Sequence, residues 1–188
     1  SNGYIIDENG INLDVIKEIK EVKKGRIKEY LNYVSDAKYV ESNNVNPSIW
    51  SVKCDIAMPC ATQNELDLND AKMLVANGVI GVYEGANMPT TLEAYKYLVD
   101  NDVIYGPGKA SNAGGVSVSG LEMTQNALRL SWSKEEVDQK LKDIMINIFH
   151  NVYNTNIEYN IKSNDLLKGA NIAGFVKIAD AMIAQGVI

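Results

Sequence analysis

The chain has 188 residues, 46% hydrophobic and 22% charged, enough for one domain, or one domain plus an extension, whose core needs no metal or disulfide staple. With 24 acidic and 18 basic residues the net charge is −6, which argues against nucleic acid and anionic membranes as partners, since both demand a basic face. Two cysteines, Cys54 and Cys60, and one histidine, His150, exclude a disulfide framework and a Cys/His zinc site of the usual ligand count, and no metal site is expected.

The opening stretch, Ser1 to Asp7, lacks the basic region and long apolar region of a signal peptide. No apolar run approaches the roughly 18 residues of a membrane span, so the cytoplasm is the expected compartment. There is no initiator Met, and a turn, Ser1-Asn2-Gly3, leads into the apolar run Tyr4-Ile5-Ile6. Such a start reads as the middle of a longer chain, cut by truncation or proteolysis.

Leu13, Ile16, Ile19 and Val22 recur at helical spacing, and a second short helix is expected around Ile27, Tyr30 and Leu31 after Gly25. Asn43 to Pro47 reads as a loop. From Val52 the pattern changes. Cys54 to Met58 is a strand-like apolar run stopped by Pro59, and Asp67 to Asn77 is a helix with Asp67 as N-cap and Gly78 just past its end. Val79 to Tyr83 is a second strand. Thr90-Thr91-Leu92-Glu93 reads as a capping box opening a helix that runs to about Asp100. Val103 to Tyr105 is a third strand, stopped by Gly106-Pro107-Gly108. Strand, helix, strand, helix, strand predicts βαβ units and a mostly parallel sheet. Helices follow: Ala113 to about Leu130, a long one started by a Ser133/Glu136 capping box, and a last one over 166–185. The polar stretch from Asn154 to Asn164 is expected to be loop. His150 falls inside the long helix, which makes it a poor catalytic candidate.

In a parallel α/β sheet the loops after the strands share one edge, and ligands bind outside it. Here those loops are 59–64, 84–91 and 106–115, all rich in small residues and uncharged hydrogen-bonding side chains. An Asn carboxamide offers both donor and acceptor, so Asn64, Asn87 and Asn112 can read a polar planar ligand. Taken singly they are ordinary turn and cap residues; three such loops on one edge favour a ligand crevice. The Gly114-Gly115 pair either permits tight helix–sheet packing or opens the helix N-terminus to a polar group. Neither GxGxxG nor GxxxxGK[ST] is present.

The segments 59–66, 84–91 and 112–116, Ser119-Gly120-Leu121-Glu122-Met123, and the ending 169–175 through Gln185-Gly186-Val187-Ile188 resemble hexameric glutamate dehydrogenase over the whole chain. The resemblance implies oxidative deamination of L-glutamate to 2-oxoglutarate and ammonia with a nicotinamide cofactor, by a homo-hexamer. It implies that Asn87 contacts the nicotinamide ribose, that Asn112 binds the carboxamide, and that Ala61 and Thr62 lie near the adenosine half. Val116 and Ser119 match the substrate pocket, with Ser119 on the γ-carboxylate. Ser1 matches the end of the turn that holds the ribose 2′-phosphate in NADP-using members, and Lys20, Lys23 and Arg26 match a flanking basic cluster. One helical turn apart in succession, these three are expected to share a face. NADP is favoured over NAD on these grounds.

The resemblance also says what is missing. The family's catalytic Lys and Asp belong to an N-terminal domain, so no catalytic residue is assigned here, and the glycine fingerprint belongs to the first βα unit of the cofactor domain. The expected architecture is α/β: residues 1–112 form the remainder of a Rossmann-like, doubly wound dinucleotide-binding domain, and 113–188 a helical segment that packs back on it and toward the absent substrate domain. The chain alone is expected to be inactive. The competing reading is a stand-alone module of the same fold that binds a nucleotide or a partner; the intact Asn87, Asn112, Val116 and Ser119 count against it, and such a module has no use for Ser119 as a carboxylate ligand.

Overall fold

The computed structural model describes residues 2–43 and 48–186. They fall into two compact units divided between Val52 and Lys53.

In the first unit β1 (Gly3–Ile6) pairs antiparallel with β2 (Lys38–Glu41), Gly3 opposite Glu41 and Ile6 opposite Lys38. This antiparallel pair, joined through the helical segments between its strands, was not legible in the sequence. The core is Ile19, Tyr30 and Ala37, with Ile5, Val15, Ile16, Leu31 and Val34 packed against it. Helix α1 (Leu13–Lys17) starts because the Asn12 side chain accepts from the backbone N–H of Asp14 and Val15. It continues as one wider π-type turn, Glu18–Val22. The expected second helix is a short 3-10 segment, Ile27–Asn32. Tyr30 is fully buried; its hydroxyl donates to Asp7 Oδ2 at 2.9 Å and accepts from Asn12 N at 2.8 Å.

The second unit carries the parallel sheet: β3 (Ile56–Ala57), β4 (Gly81–Tyr83) and β5 (Ile104–Gly106), in that order. Between them run α2 (Leu68–Ala76) and α3 (Leu92–Asp100). The α/β class, the parallel sheet and the C-terminal helices are as expected. Ala57, Val82 and Tyr105 lie abreast and are buried. Ala71 and Leu74 of α2 and Ala94, Leu98 and Val99 of α3 are buried as well, with α2 on α3 and α3 on β5. Ile56 and Ile104, abreast of Gly81 on the opposite face, stay exposed.

The α2 cap is as expected: Asp67 accepts from Asn69 N and Asp70 N, and Gly78 takes φ +81° just past the end. The α3 cap is shifted by one residue. Thr91, not Thr90, accepts from Ala94 N, because Thr90 is buried in a parallel bridge with Leu66.

Four helices follow: α4 (Gly108–Ser111), α5 (Ala113–Leu128), α6 (Lys134–Glu158) and α7 (Leu166–Gln185). Ser133 and Glu136 form the expected capping box on α6. The helix runs on through the first part of the stretch expected to be loop, Asn154 to Glu158, since tertiary contacts outweigh its polar composition. Val152, Thr155 and Asn156 are buried, and the Asn156 amide donates to Lys162 O and Asp165 O, both at 3.1 Å, tying the α6–α7 corner. Asn164 donates to Val99 O and Val103 O while Tyr105 N donates to Asn164 O. Residues Asn164 and Asp165 thereby cover the outer edge of β5.

Candidate functional site

Backbone hydrogen bonds lace the three post-strand loops together. Gly85 N and Ala86 N both donate to Pro59 O, Asn64 N donates to Met88 O, and Glu84 N donates to Gly106 O. Asn64 and Met88 adopt left-handed backbone at φ +57° and +50°, the tight reversals that Asn tolerates and Met rarely does. Ala61 N is held by Glu65 Oε1 at 2.8 Å.

Between the loops lies an open cleft of about 650 Å³ lined by Cys60, Ala61, Thr62, Gln63, Gly85, Ala86, Asn87, Asn112 and Val116. Five residues singled out from the sequence, Ala61, Thr62, Asn87, Asn112 and Val116, therefore meet at one place. The Asn112 amide donates to Asn87 Oδ1 at 2.8 Å and to the carbonyls of Gly85 and Ala86 at 3.2 and 3.3 Å. That leaves Asn112 Oδ1 as a free acceptor and Asn87 Nδ2 as a free donor among the described residues. Asn64 shapes its loop instead of lining the cleft.

The tight-packing reading of Gly114-Gly115 fails. A methyl group at Gly115 would meet no atom, and one at Gly114 only ordinary contacts with Leu141 and Met145. The pair leaves room beside Val116, which is exposed on the first turn of α5. Ser119 is one turn further on, also exposed, and does not line the cleft; its hydroxyl donates to Gly115 O at 3.3 Å.

Lys20 and Arg26 belong to the first unit. Lys20 Nζ donates to Gly25 O at 3.2 Å, and Lys23 pairs with Glu18 at 3.5 Å and donates to the Tyr33 hydroxyl. The expectation of one shared helical face fails for Arg26: Lys24 turns left-handed at φ +54°, and Arg26 is the extended cap of the next segment. Ser1 lies outside the described residues.

Sequence reasoning left Glu84 without a role, although it is buried beneath the cleft loops. Its signal was present: Glu84 is two residues after the buried Val82, on the inward face of a strand. The Tyr105 hydroxyl donates to Glu84 Oε1 and the Tyr95 hydroxyl to Asp165 Oδ1, with the two rings 5.0 Å apart. Burial first, and then the facing carboxylate, push both phenols well above the usual tyrosine range. Burial also raises the Cys54 thiol, with Asp55 adding to it. Among the described residues no group of His, Cys, Asp and Glu could hold a metal ion, and no helix is long and apolar enough to cross a membrane.

Residues 1–186 match the pattern of the Glutamate/Leucine/Phenylalanine/Valine dehydrogenase family. The chain belongs to that family. It is similar to the NAD(P)-specific glutamate dehydrogenase of Xylanibacter ruminicola, 54% identical over all of this chain and 41% of that protein. It is similar to the NADP-specific glutamate dehydrogenase of Helicobacter pylori J99, 53% identical over all of this chain and 42% of that one. Among solved structures it superposes on Plasmodium falciparum glutamate dehydrogenase with a TM-score of 0.90 and 50% identity, covering all of this chain and 40% of the other. The chain thus spans about two-fifths of the length of the dehydrogenases it matches.

Proposed function

We propose that this chain is the nicotinamide-binding part of an NADP-dependent glutamate dehydrogenase that converts L-glutamate to 2-oxoglutarate and ammonia. The observation that carries the reading is the Asn87–Asn112 pair at the rim of the cleft. Its free acceptor, Asn112 Oδ1, matches a carboxamide N–H, and its free donor, Asn87 Nδ2, matches a hydroxyl oxygen of the adjoining ribose, so the donor set fits a nicotinamide riboside. That group supplies hydride transfer when bound.

The chain's own residues bind and orient. Asn112 addresses the carboxamide and Asn87 the adjoining ribose. Ala61 and Thr62 line the cleft where the adenosine half would run, and their small size leaves room for a flat group. Val116 faces the substrate and Ser119 takes its γ-carboxylate. Lys20 and Arg26, with Ser1, serve the 2′-phosphate that separates NADP from NAD. The relatives' names support NADP, since one is NADP-specific and another takes either cofactor. In this reading 1–112 is the remainder of the dinucleotide-binding domain, 113–188 is the helical segment that packs back on it and toward the substrate domain, and the full-length enzyme is a homo-hexamer.

The test is a titration of the isotope-labelled chain with nicotinamide mononucleotide and with NADP, followed by nuclear magnetic resonance. The side-chain amide signals of Asn87 and Asn112 are expected to move with both, and the chain alone is expected to reduce no NADP with glutamate. Unmoved amide signals at saturating nucleotide would overturn the assignment.

A further inference from the structure

Glu84 sits directly after β4 with 5% of its surface exposed. One carboxylate oxygen accepts from the Tyr105 hydroxyl at 2.5 Å and from Thr90 N at 3.3 Å; the other accepts from Gly108 N at 2.7 Å. The Glu84 backbone adds two more links, donating to Gly106 O at 2.9 Å and accepting from the Ser111 hydroxyl at 2.6 Å. No ion pair reaches it among the described residues. Burying a carboxylate without a cation is costly, and an apolar residue in its place would leave those buried donors without acceptors. What only a carboxylate supplies is two acceptor oxygens that serve three donors on three different segments.

Those segments carry the cleft. Thr90 ends the loop that holds Asn87, and Gly108 begins the short helix that ends at Asn112. A methyl group at Gly108 would meet Ala86 O at 2.8 Å and Asn112 Nδ2 and Glu84 Oε2 at 3.4 Å. The bond from Glu84 to Gly108 and the bond from Asn112 to Ala86 are therefore neighbours fastening the same two loops.

We propose that Glu84 is a positioning residue that holds Asn112 and Asn87 in register for a ligand's carboxamide and its adjoining ribose. The proposal rests on the nicotinamide reading of the cleft.

Glu84→Gln tests it at constant size. A Gln side chain has only one acceptor oxygen, so whichever way it turns, either Thr90 N or Gly108 N faces an amide donor. In the ligand-free labelled chain the Asn87 and Asn112 side-chain signals are expected to shift. Affinity for nicotinamide mononucleotide is expected to fall at least fivefold, with little further loss when Asn112→Ala is added, because both changes act through the same pair. Tyr95→Phe, which removes a comparably buried bond to Asp165, is expected to lower stability and leave that affinity unchanged. Should Gln prevent folding, Tyr105→Phe removes one of the three donors and is expected to shift the same signals less.

Unchanged Asn signals in whichever variant folds would overturn the proposal. So would affinity losses in Glu84→Gln and Asn112→Ala that simply multiply, or a matching loss in Tyr95→Phe. A wild-type chain that ignores the mononucleotide while Glu84→Gln still moves both Asn signals sinks the nicotinamide reading and, with it, the ligand part of the proposal; the mechanical coupling is read separately in the ligand-free spectra.

Discussion

Asn112 and Asn87 come from loops 25 residues apart, and their side-chain amides meet at 2.8 Å. Each uses one end on the other and keeps the opposite end for the cleft. A pair of this kind fixes the orientation of both carboxamides, which a lone surface Asn lacks. Asn112→Ala removes the donor to Asn87 and to two carbonyls. Affinity for nicotinamide mononucleotide should fall about five- to tenfold, on the order of one neutral hydrogen bond, measured by titration against a wild-type control.

In the protein at the length of its curated relatives, Ser119→Val should lower kcat/KM for glutamate by about ten- to a hundredfold, the worth of a hydrogen bond to a charged group. Affinity for NADP should barely change, because Ser119 lies outside the cleft lining. Steady-state kinetics with a separate cofactor titration checks both halves, and a variant that spares glutamate turnover would remove Ser119 from the substrate pocket.

Cys60 is exposed and lines the cleft, whereas Cys54 is half-buried with its thiol pushed up. N-ethylmaleimide should therefore label Cys60 first, since the thiolate is the nucleophile and access sets the rate. NADP should slow that labelling and not the labelling of Cys54. Peptide mapping by mass spectrometry reads both rates.

Two glycines of α7 should respond in opposite directions to Ala. At Gly169 a methyl group would sit 2.0 Å from Asn156 Oδ1 and 2.8 Å from Val152 O. Overpacking of this sort costs about 1–3 kcal/mol, so Gly169→Ala should lower Tm by about 2–12 °C. At Gly174 the same group meets nothing within 4 Å, and Gly174→Ala should stabilise by roughly 0.5–1 kcal/mol through helix propensity. Thermal unfolding of the two variants, compared at equal concentration, decides the matter.

Alkaline pH should destabilise the second unit. Tyr95 and Tyr105 have raised pKa values in the fold, so their contribution is fully present below the unfolded tyrosine value of about 10. Above it the unfolded chain loses protons that the folded chain keeps, and stability falls as pH rises toward the folded values. The slope approaches about 1.4 kcal/mol per pH unit for each tyrosine. Urea midpoints at pH 9 and pH 11 measure it, and Tyr105→Phe should flatten the difference.

What the sequence disclosed and what it withheld divide along physical lines. Helix caps are local, so Asp67 and Ser133 could be read directly, and so could the post-strand loops, whose small residues and Asn side chains announced the cleft. The α3 cap could not, because Thr90 is claimed by a strand bridge to Leu66, a contact 24 residues away that no local pattern encodes. The end of α6 was hidden for the same reason: Asn156 looks like a loop residue until Lys162 and Asp165 supply its partners. The basic residues after Ile19 look periodic on paper, but one left-handed residue, Lys24, takes Arg26 off the helix. The match over residues 1–186 settles the family.

The sheet has unequal edges. Asn164 and Asp165 occupy the outer side of β5, while the outer side of β3 has no backbone partner among the described residues. A strand added to this sheet from outside can join at β3 and not at β5. If two copies of this chain meet edge to edge, they close on each other and the blocked sides face outward. Growth by pairing on this sheet then stops at two, a dimer of finite size and not the open-ended ladder that a sheet with two free edges builds.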